Sequence, residues 1–417
     1  MRMAQRALAM GLSLLLLGGL CACGQEESVS GSAESVTQTA ETSPQPESES
    51  GSQPEAEPVS DKQTVQPSVD PATLVPYDGV VEHLFFHPAI AYPELAFDGD
   101  AQSDGFDDWM VTVDEYQKIL QSLYENDYVL VDINSVWSEQ TENGSAKMVP
   151  NVLMVPEGKK PLVLSFDDVN YYEYMRENGF PYKLVLGEDG ELWSWGIDPQ
   201  GNEVLSQDLD VVTILDKFVE EHPDFSPFGA KGCLSLTGYE GILGYRTNTT
   251  TQGLTAEQEV FRQQEMEAVR PIVERLKETG WTFGCHTWGH INLSKRSLAL
   301  LQEDMERWNS DVGSLVGETQ VIFYPHGARP DGDDVNQTGE MFAWLQGEGY
   351  RIFCSVGISS YSKCKSDISA VICDRMHPDG TTLRSAKGRE RYLKFYDAKD
   401  IINLEVRPER AVGWQSE

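Results

Sequence analysis

Short, almost wholly apolar runs alternate with amphipathic stretches from about residue 80 to residue 373, and this alternation is the strongest constraint on the fold. The run Pro161-Leu162-Val163-Leu164-Ser165-Phe166 lacks the polar–apolar alternation of a half-exposed strand, so it reads as a strand buried on both faces. Further strands are expected at 80–87, 128–133, 232–236, 281–285, 320–323, 350–356 and 370–373. Helical spacing intervenes. Thr112-Val113-Asp114-Glu115 is a capping box ahead of Tyr116, Ile119, Leu120 and Leu123. A helix is read over 210–221, and a longer one from Thr255 to a cap at Gly280, kinked or split by Pro271. Two more are expected over 294–312 and 341–346. Strand–helix–strand repetition predicts an α/β fold with a parallel sheet, closed into a distorted barrel whose strand C-termini share one face.

What stands at those C-termini is chemically loaded. One strand ends in Asp167-Asp168, one in His286, one in Tyr324-Pro325-His326-Gly327 and one in Asp374-Arg375. Two carboxylates closing a buried strand either cap a helix or bind a cation, because unpaired they are costly. His286 and His290 share a face if the segment between them turns helically, which suits two ligands of one metal. One carboxylate and two imidazoles leave positions open for water and substrate, as a catalytic metal site requires.

The flanking sequence sets the context. Arg2 and Arg6 precede an apolar stretch at 7–17 that is too short to span a bilayer, and Leu20-Cys21-Ala22-Cys23 resembles the lipobox of bacterial lipoproteins. Residues 1–22 are therefore expected to be a lipoprotein signal peptide, with Cys23 the lipid attachment that anchors the chain to the outer face of a bacterial membrane. Residues 23–76 are rich in Ser, Glu, Gln and Pro and poor in large apolar side chains, as expected of a disordered acidic linker. Residues 77–417 are expected to form the catalytic domain, with its core at about 160–378. A net charge of −35 argues against a nucleic-acid partner, since a polyanion would be repelled. Cys233, Cys285, Cys354, Cys364 and Cys373 have no CxxC spacing; a disulfide among the last three is one option and burial as small core residues is the other.

Ser165-Phe166-Asp167-Asp168 resembles the first motif of the NodB homology domain, the polysaccharide deacetylases of carbohydrate esterase family four. His286-Thr287-Trp288-Gly289-His290 is similar to that family's second motif, and Tyr324-Pro325-His326-Gly327 to its third in the form of some exported members. The resemblance covers roughly 80–377 and implies a distorted (β/α) barrel of the NodB type, with a small insertion after the first motif. It also implies a divalent metal ion, usually zinc, on Asp168, His286 and His290, with Asp167 as general base toward the attacking water. The N–H of His326 would help hold the oxyanion, with Tyr324 and Pro325 beside it. The implied reaction is removal of acetyl groups, most commonly from N-acetyl hexosamine units, by a monomer acting on cell-envelope polysaccharide.

The chain also departs from the family pattern. Phe323 stands where the family often has an Arg that orients the base, and the fourth motif is not recognisable. For the fifth the candidate is Arg375-Met376-His377, with His377 as general acid or Arg375 in its place. Tyr245 and Arg246 lie on a Gly-rich segment that reads as a loop over the site and can touch substrate. His87 is either an edge-of-strand residue or a neighbour of the site. Tyr171, Tyr172, Tyr174, Trp193 and Trp195 either stack on sugar rings or form the insertion's own core. The competing functions are a carbohydrate-binding lipoprotein that has lost turnover and a metal-dependent amidase on a non-sugar substrate.

Overall fold

The computed structural model describes residues 69–365 and 367–415; the expected signal peptide, Cys23 and most of the linker lie outside them. Pairing begins at Leu74–Pro76, which joins Met154–Pro156, slightly ahead of the boundary placed at Tyr77. The central sheet is parallel in the order Ala370–Arg375, Ile352–Val356, Val321–Phe323, Thr282–Cys285, Cys233–Leu236, Lys160–Asp167, Glu82–Phe86. It then curls back on itself, because Leu84 bridges Met376 just beyond the Ala370–Arg375 strand. The N–H of Phe85 donates to the Met376 carbonyl, and that of Met376 to His83. The result is a nearly closed α/β barrel. Tyr128–Leu130 pairs with the start of the Lys160–Asp167 strand, and Tyr361–Lys365 adds antiparallel to Ala370–Arg375.

The doubly apolar run at 161–166 now has a physical cause. Leu162, Leu164 and Phe166 pack outward in the large core under the helices, while Val163 packs in a separate cluster with Cys233, Phe323, Cys354 and Cys373. A strand in a helix-covered barrel buries both faces, so both must be apolar until the chain reaches the site. All five described cysteines are free thiols, Cys354 and Cys373 being register partners within the sheet.

The Thr112 capping box is present, Glu115 accepting from the Thr112 N–H at 2.8 Å. Pro271 does not split its helix, which runs unbroken over Ala256–Glu278. One lost backbone bond is offset there by burial of Val269, Ile272, Val273 and Leu276. Gly280 follows it at φ +97°, and a Cβ there would lie 1.7 Å from the Gly229 carbonyl oxygen. The helix expected over 294–312 is displaced toward the C-terminus, Leu298–Trp308 continuing through a π turn at Asn309–Gly313 into Ser314–Val316. The insertion after the first motif is a small antiparallel sheet of Lys183–Leu186, Leu192–Ile197 and Glu203–Ser206.

The C-terminal segment, which has no reading in sequence terms, straps the helix Val113–Glu125 that Thr112 caps. Buried Arg407 donates to both Glu115 oxygens at 2.7 Å and to Asp107 Oδ1 at 2.9 Å. Arg384 reaches the same Asp107 oxygen at 2.6 Å.

Candidate active site

The parallel strands deliver the loaded positions to one end of the barrel. Asp167 is the last residue of its strand and Asp168 the first beyond it, at φ +63°. The turn separates the two carboxylates into different environments. Asp167 takes two parallel hydrogen bonds from Arg375, Nη1 to Oδ1 at 2.7 Å and Nη2 to Oδ2 at 2.8 Å. Asp168 instead accepts from the Tyr172 hydroxyl at 2.6 Å, and its Oδ2 lies 3.7 Å from His290 Nε2.

Arg375 has no exposed surface. Its guanidinium lies 4.1 Å from the Phe85 ring centroid and 4.5 Å from that of Phe323, and Nη1 also donates to Ser165 Oγ at 3.1 Å. Phe323, at the position where an arginine would orient the base, is thus a wall for an arginine arriving from another strand. Gly284 makes room for it, since a Cβ there would sit 2.3 Å from the Phe323 ring. Ser165 also meets His83 Nε2 at 2.9 Å. Because Arg375 can only donate to Ser165, the serine proton is free to go to His83. Burial and Arg375 lower the His83 pKa well below its ordinary value, which keeps that ring neutral.

His286 and His290 converge without a helix. Residues 286–290 form a loop in which Thr287 and His290 adopt φ +58° and +50°, so the helical spacing argument is replaced by two left-handed residues. Such backbone costs of order 1–3 kcal/mol per residue and persists only where surroundings hold it. Asp304 holds it here, accepting from the N–H groups of Trp288 at 2.6 Å and Gly289 at 2.8 Å. The ring of His286 is set by Nδ1, 2.9 Å from the Phe323 carbonyl, which makes Nδ1 the donor and turns Nε2 inward. Among the described residues, Asp168, His286 and His290 alone offer three metal-ligating atoms within 4.8 Å of one another. Two imidazole nitrogens and one carboxylate oxygen, with Asp168 and His286 buried and His290 half-buried, fit a divalent transition ion such as zinc.

Electrostatics sorts the groups further. Burial alone would raise Asp167, but Arg375 and His286 outweigh it and hold the carboxyl well below the usual range. Asp168 is lowered too, against its burial, by His290, His286 and His87. Burial lowers His290 to about 4, with His286 and His326 adding to the effect.

His87 is the residue that sequence reasoning underweighted. It directly follows the Glu82–Phe86 strand, and its Nε2 lies 3.9 Å from Asp168 Oδ2. Its Nδ1 is 3.1 Å from His377 Nε2, and His377 Nδ1 is 3.1 Å from Asp379. An ionised Asp379 accepts from His377 Nδ1, so His377 Nε2 accepts from His87 Nδ1 and the free nitrogen of His87 faces the cluster. The one available signal was its place at a strand's C-terminal end.

Several expected contacts are taken up otherwise. His377 stands behind His87 and does not itself border the Asp168 carboxylate, its ring stacking on Phe85 at 4.3 Å. Arg375, expected at the place of the acid, pairs with Asp167, the expected base. Tyr245 is buried and donates to the Leu184 carbonyl at 3.0 Å, while Arg246 braces Glu240 O, Tyr171 O and Glu173. Both side chains are thus engaged within the fold. Tyr324 is buried with its hydroxyl 2.6 Å from Gln337 Oε1, and Pro325 is buried beside it. His326 sits at φ +58° with its ring 4.5 Å from that of His290. Gly327 and Ala328 donate back to Tyr324 and Pro325, so this turn does not use the His326 N–H. Trp193 and Trp195 sit on the insertion sheet, with Lys183 5.4 Å from Trp195.

Residues 251–339 match the family model for polysaccharide deacetylase, a stretch that holds His286, His290 and the Tyr324–Gly327 turn. No curated protein matches the chain. Among solved structures, the chain is similar to the Streptococcus pyogenes deacetylase PplD in complex with acetate, at 15% identity and TM-score 0.36 over 74% of this chain and 95% of that one. It is similar to BC0361, a polysaccharide deacetylase from Bacillus cereus, at 12% identity and TM-score 0.40 over 77% and 69%. It is similar to IcaB from Ammonifex degensii at 12% identity and TM-score 0.34 over 66% and 83%.

Proposed function

We propose that this chain is a metal-dependent hydrolase that removes acetyl groups from a cell-envelope or extracellular polysaccharide, N-acetyl hexosamine units being the preferred substrate. The observation that carries this reading is the division of labour between adjacent carboxylates: Asp167 is locked to Arg375, and Asp168 joins His286 and His290. The match of residues 251–339 to the polysaccharide deacetylase family supports the reaction class. The lipobox-like Leu20-Cys21-Ala22-Cys23 supports placement outside the cytoplasm on a lipid anchor.

Asp168, His286 and His290 would hold a divalent ion, zinc by its donor set, which when bound polarises the acyl carbonyl and acidifies water. Asp167 accepts the proton of the attacking water, and Arg375 fixes which carboxylate edge is offered. The N–H of His326 donates to the oxygen that gains charge. His87 Nε2 carries no proton at rest, because Nδ1 donates to His377; it takes up a proton from solvent as the attack proceeds and passes it to the departing nitrogen, the imidazolium being steadied through Nδ1 by His377 and Asp379. The positions left open by Phe323 and by the altered last motif are thus filled by Arg375 and His87, which weighs against a binding protein without turnover.

The test is acetate release from acetylated glycans by purified protein, with and without a chelator, beside Asp167→Asn. Chelator-sensitive release that is lost in the variant is the expected result. Glycan binding without turnover by metal-replete protein would favour the carbohydrate-binding alternative.

A further inference from the structure

Tyr172 sits where a stacked row of aromatic rings meets the metal-ligating carboxylate. Its ring lies between Tyr239, at 4.8 Å and 17°, and Tyr174, at 5.7 Å and 17°. Only 2% of the side chain's residue surface is exposed, so the hydroxyl has essentially one direction in which to point. It points at Asp168 Oδ1, 2.6 Å away, and also lies 2.5 Å from the buried Thr237 hydroxyl.

Proton bookkeeping fixes the order of this chain. An ionised carboxylate only accepts, so Tyr172 donates to Asp168, and its oxygen is then free to accept from Thr237. Oδ1 is occupied by the phenol, while Oδ2 is the oxygen that faces His290 Nε2 at 3.7 Å. Thr237 immediately follows the Cys233–Leu236 strand, beside the strand that carries Asp167, so the hydroxyl relay is mounted on the barrel itself.

We infer that Tyr172 is a positioning residue for the metal, dedicating Asp168 Oδ2 to the ion by holding Oδ1, with Thr237 setting the direction of the phenol proton. The inference rests on the metal site of the proposed function. It gives Tyr172, among the tyrosines after the first motif, a role in holding the metal-ligating carboxylate that is distinct from sugar stacking.

Tyr172→Phe removes the hydroxyl and keeps the ring stack. Competition titration of metal-free protein with Zn2+ against a chromophoric chelator is expected to show about 10- to 100-fold weaker binding in this variant. The Co2+ absorption spectrum should shift as Asp168 becomes free to turn both oxygens toward the ion. Thr237→Val should weaken Zn2+ binding in the same direction by a smaller factor, and Tyr174→Phe should leave it at the wild-type value. If Tyr172→Phe lowers the melting temperature so far that titration is impossible, Thr237→Val decides. Unchanged Zn2+ affinity and an unchanged Co2+ spectrum in the hydroxyl variants overturn the inference while leaving the metal site standing. Wild-type protein that binds neither ion overturns both.

Discussion

Arg375 and Asp167, 208 residues apart in the chain, meet through two parallel hydrogen bonds inside a barrel where neither is appreciably exposed. The pair sits between the rings of Phe85 and Phe323, so water cannot replace either partner. Removing one side leaves a buried, uncompensated charge.

Arg375→Met is therefore expected to destabilise the fold by about 3–5 kcal/mol, measured by urea unfolding. Asp167→Asn on that background should recover part of the loss, because the unpaired charge goes with it. A single variant as stable as wild type would show that the ion pair is solvated in solution.

Asp167→Asn alone keeps the side chain's size, removes a proton acceptor and leaves Arg375 without its charge partner. Turnover should drop about 100- to 10,000-fold with Zn2+ affinity little changed. Loss of metal binding of similar size would instead make Asp167 a ligand.

For the opposite side of the cluster, His87→Ala should cost more turnover than His377→Asn, since His377 reaches the site only through His87. The two changes together should cost little more than His87→Ala alone. Additive losses in kcat would refute a relay that acts as one unit.

Acid stability follows from the buried histidines. Burial lowers His83, and lowers His87 and His290 to about 4. The unfolded chain takes up these protons near pH 6.5 and the folded one does not, so stability falls as pH drops from about 6.5 toward 4. Asp210 and Asp304, raised by burial to about 6, act in the opposite sense over the same window. Urea midpoints of metal-free protein should decline on acidification, and Asp304→Asn, which removes one opposing carboxyl, should steepen the decline. A midpoint that rises toward pH 4.5 would contradict neutral, buried histidines.

At the other end of the chain, Arg407→Met should destabilise by about 3–5 kcal/mol, because Glu115 and Asp107 lose a buried partner. Arg407→Lys should recover little, since one ammonium cannot span both carboxylates in the guanidinium's fork geometry.

The strand–helix repeat, the doubly buried strand at 160–167, the capping box at Thr112 and the placing of Asp167, Asp168, His286 and His326 at strand ends were legible in the sequence because they depend on local periodicity and short-range hydrogen bonds. Two things were not. The convergence of His286 and His290 rests on left-handed residues held by Asp304 from a following helix, and no helical spacing rule reports that. The partners of Asp167 and of His87, Arg375 and His377, come some two hundred or more positions later, where only barrel closure brings Met376 against Leu84. Residue type and order named the groups that gather at one end of the barrel. Which arginine holds Asp167 and which histidine faces the cluster were decided by closure of the sheet, since contacts between distant strands are set by packing of the whole barrel and leave no local pattern to read.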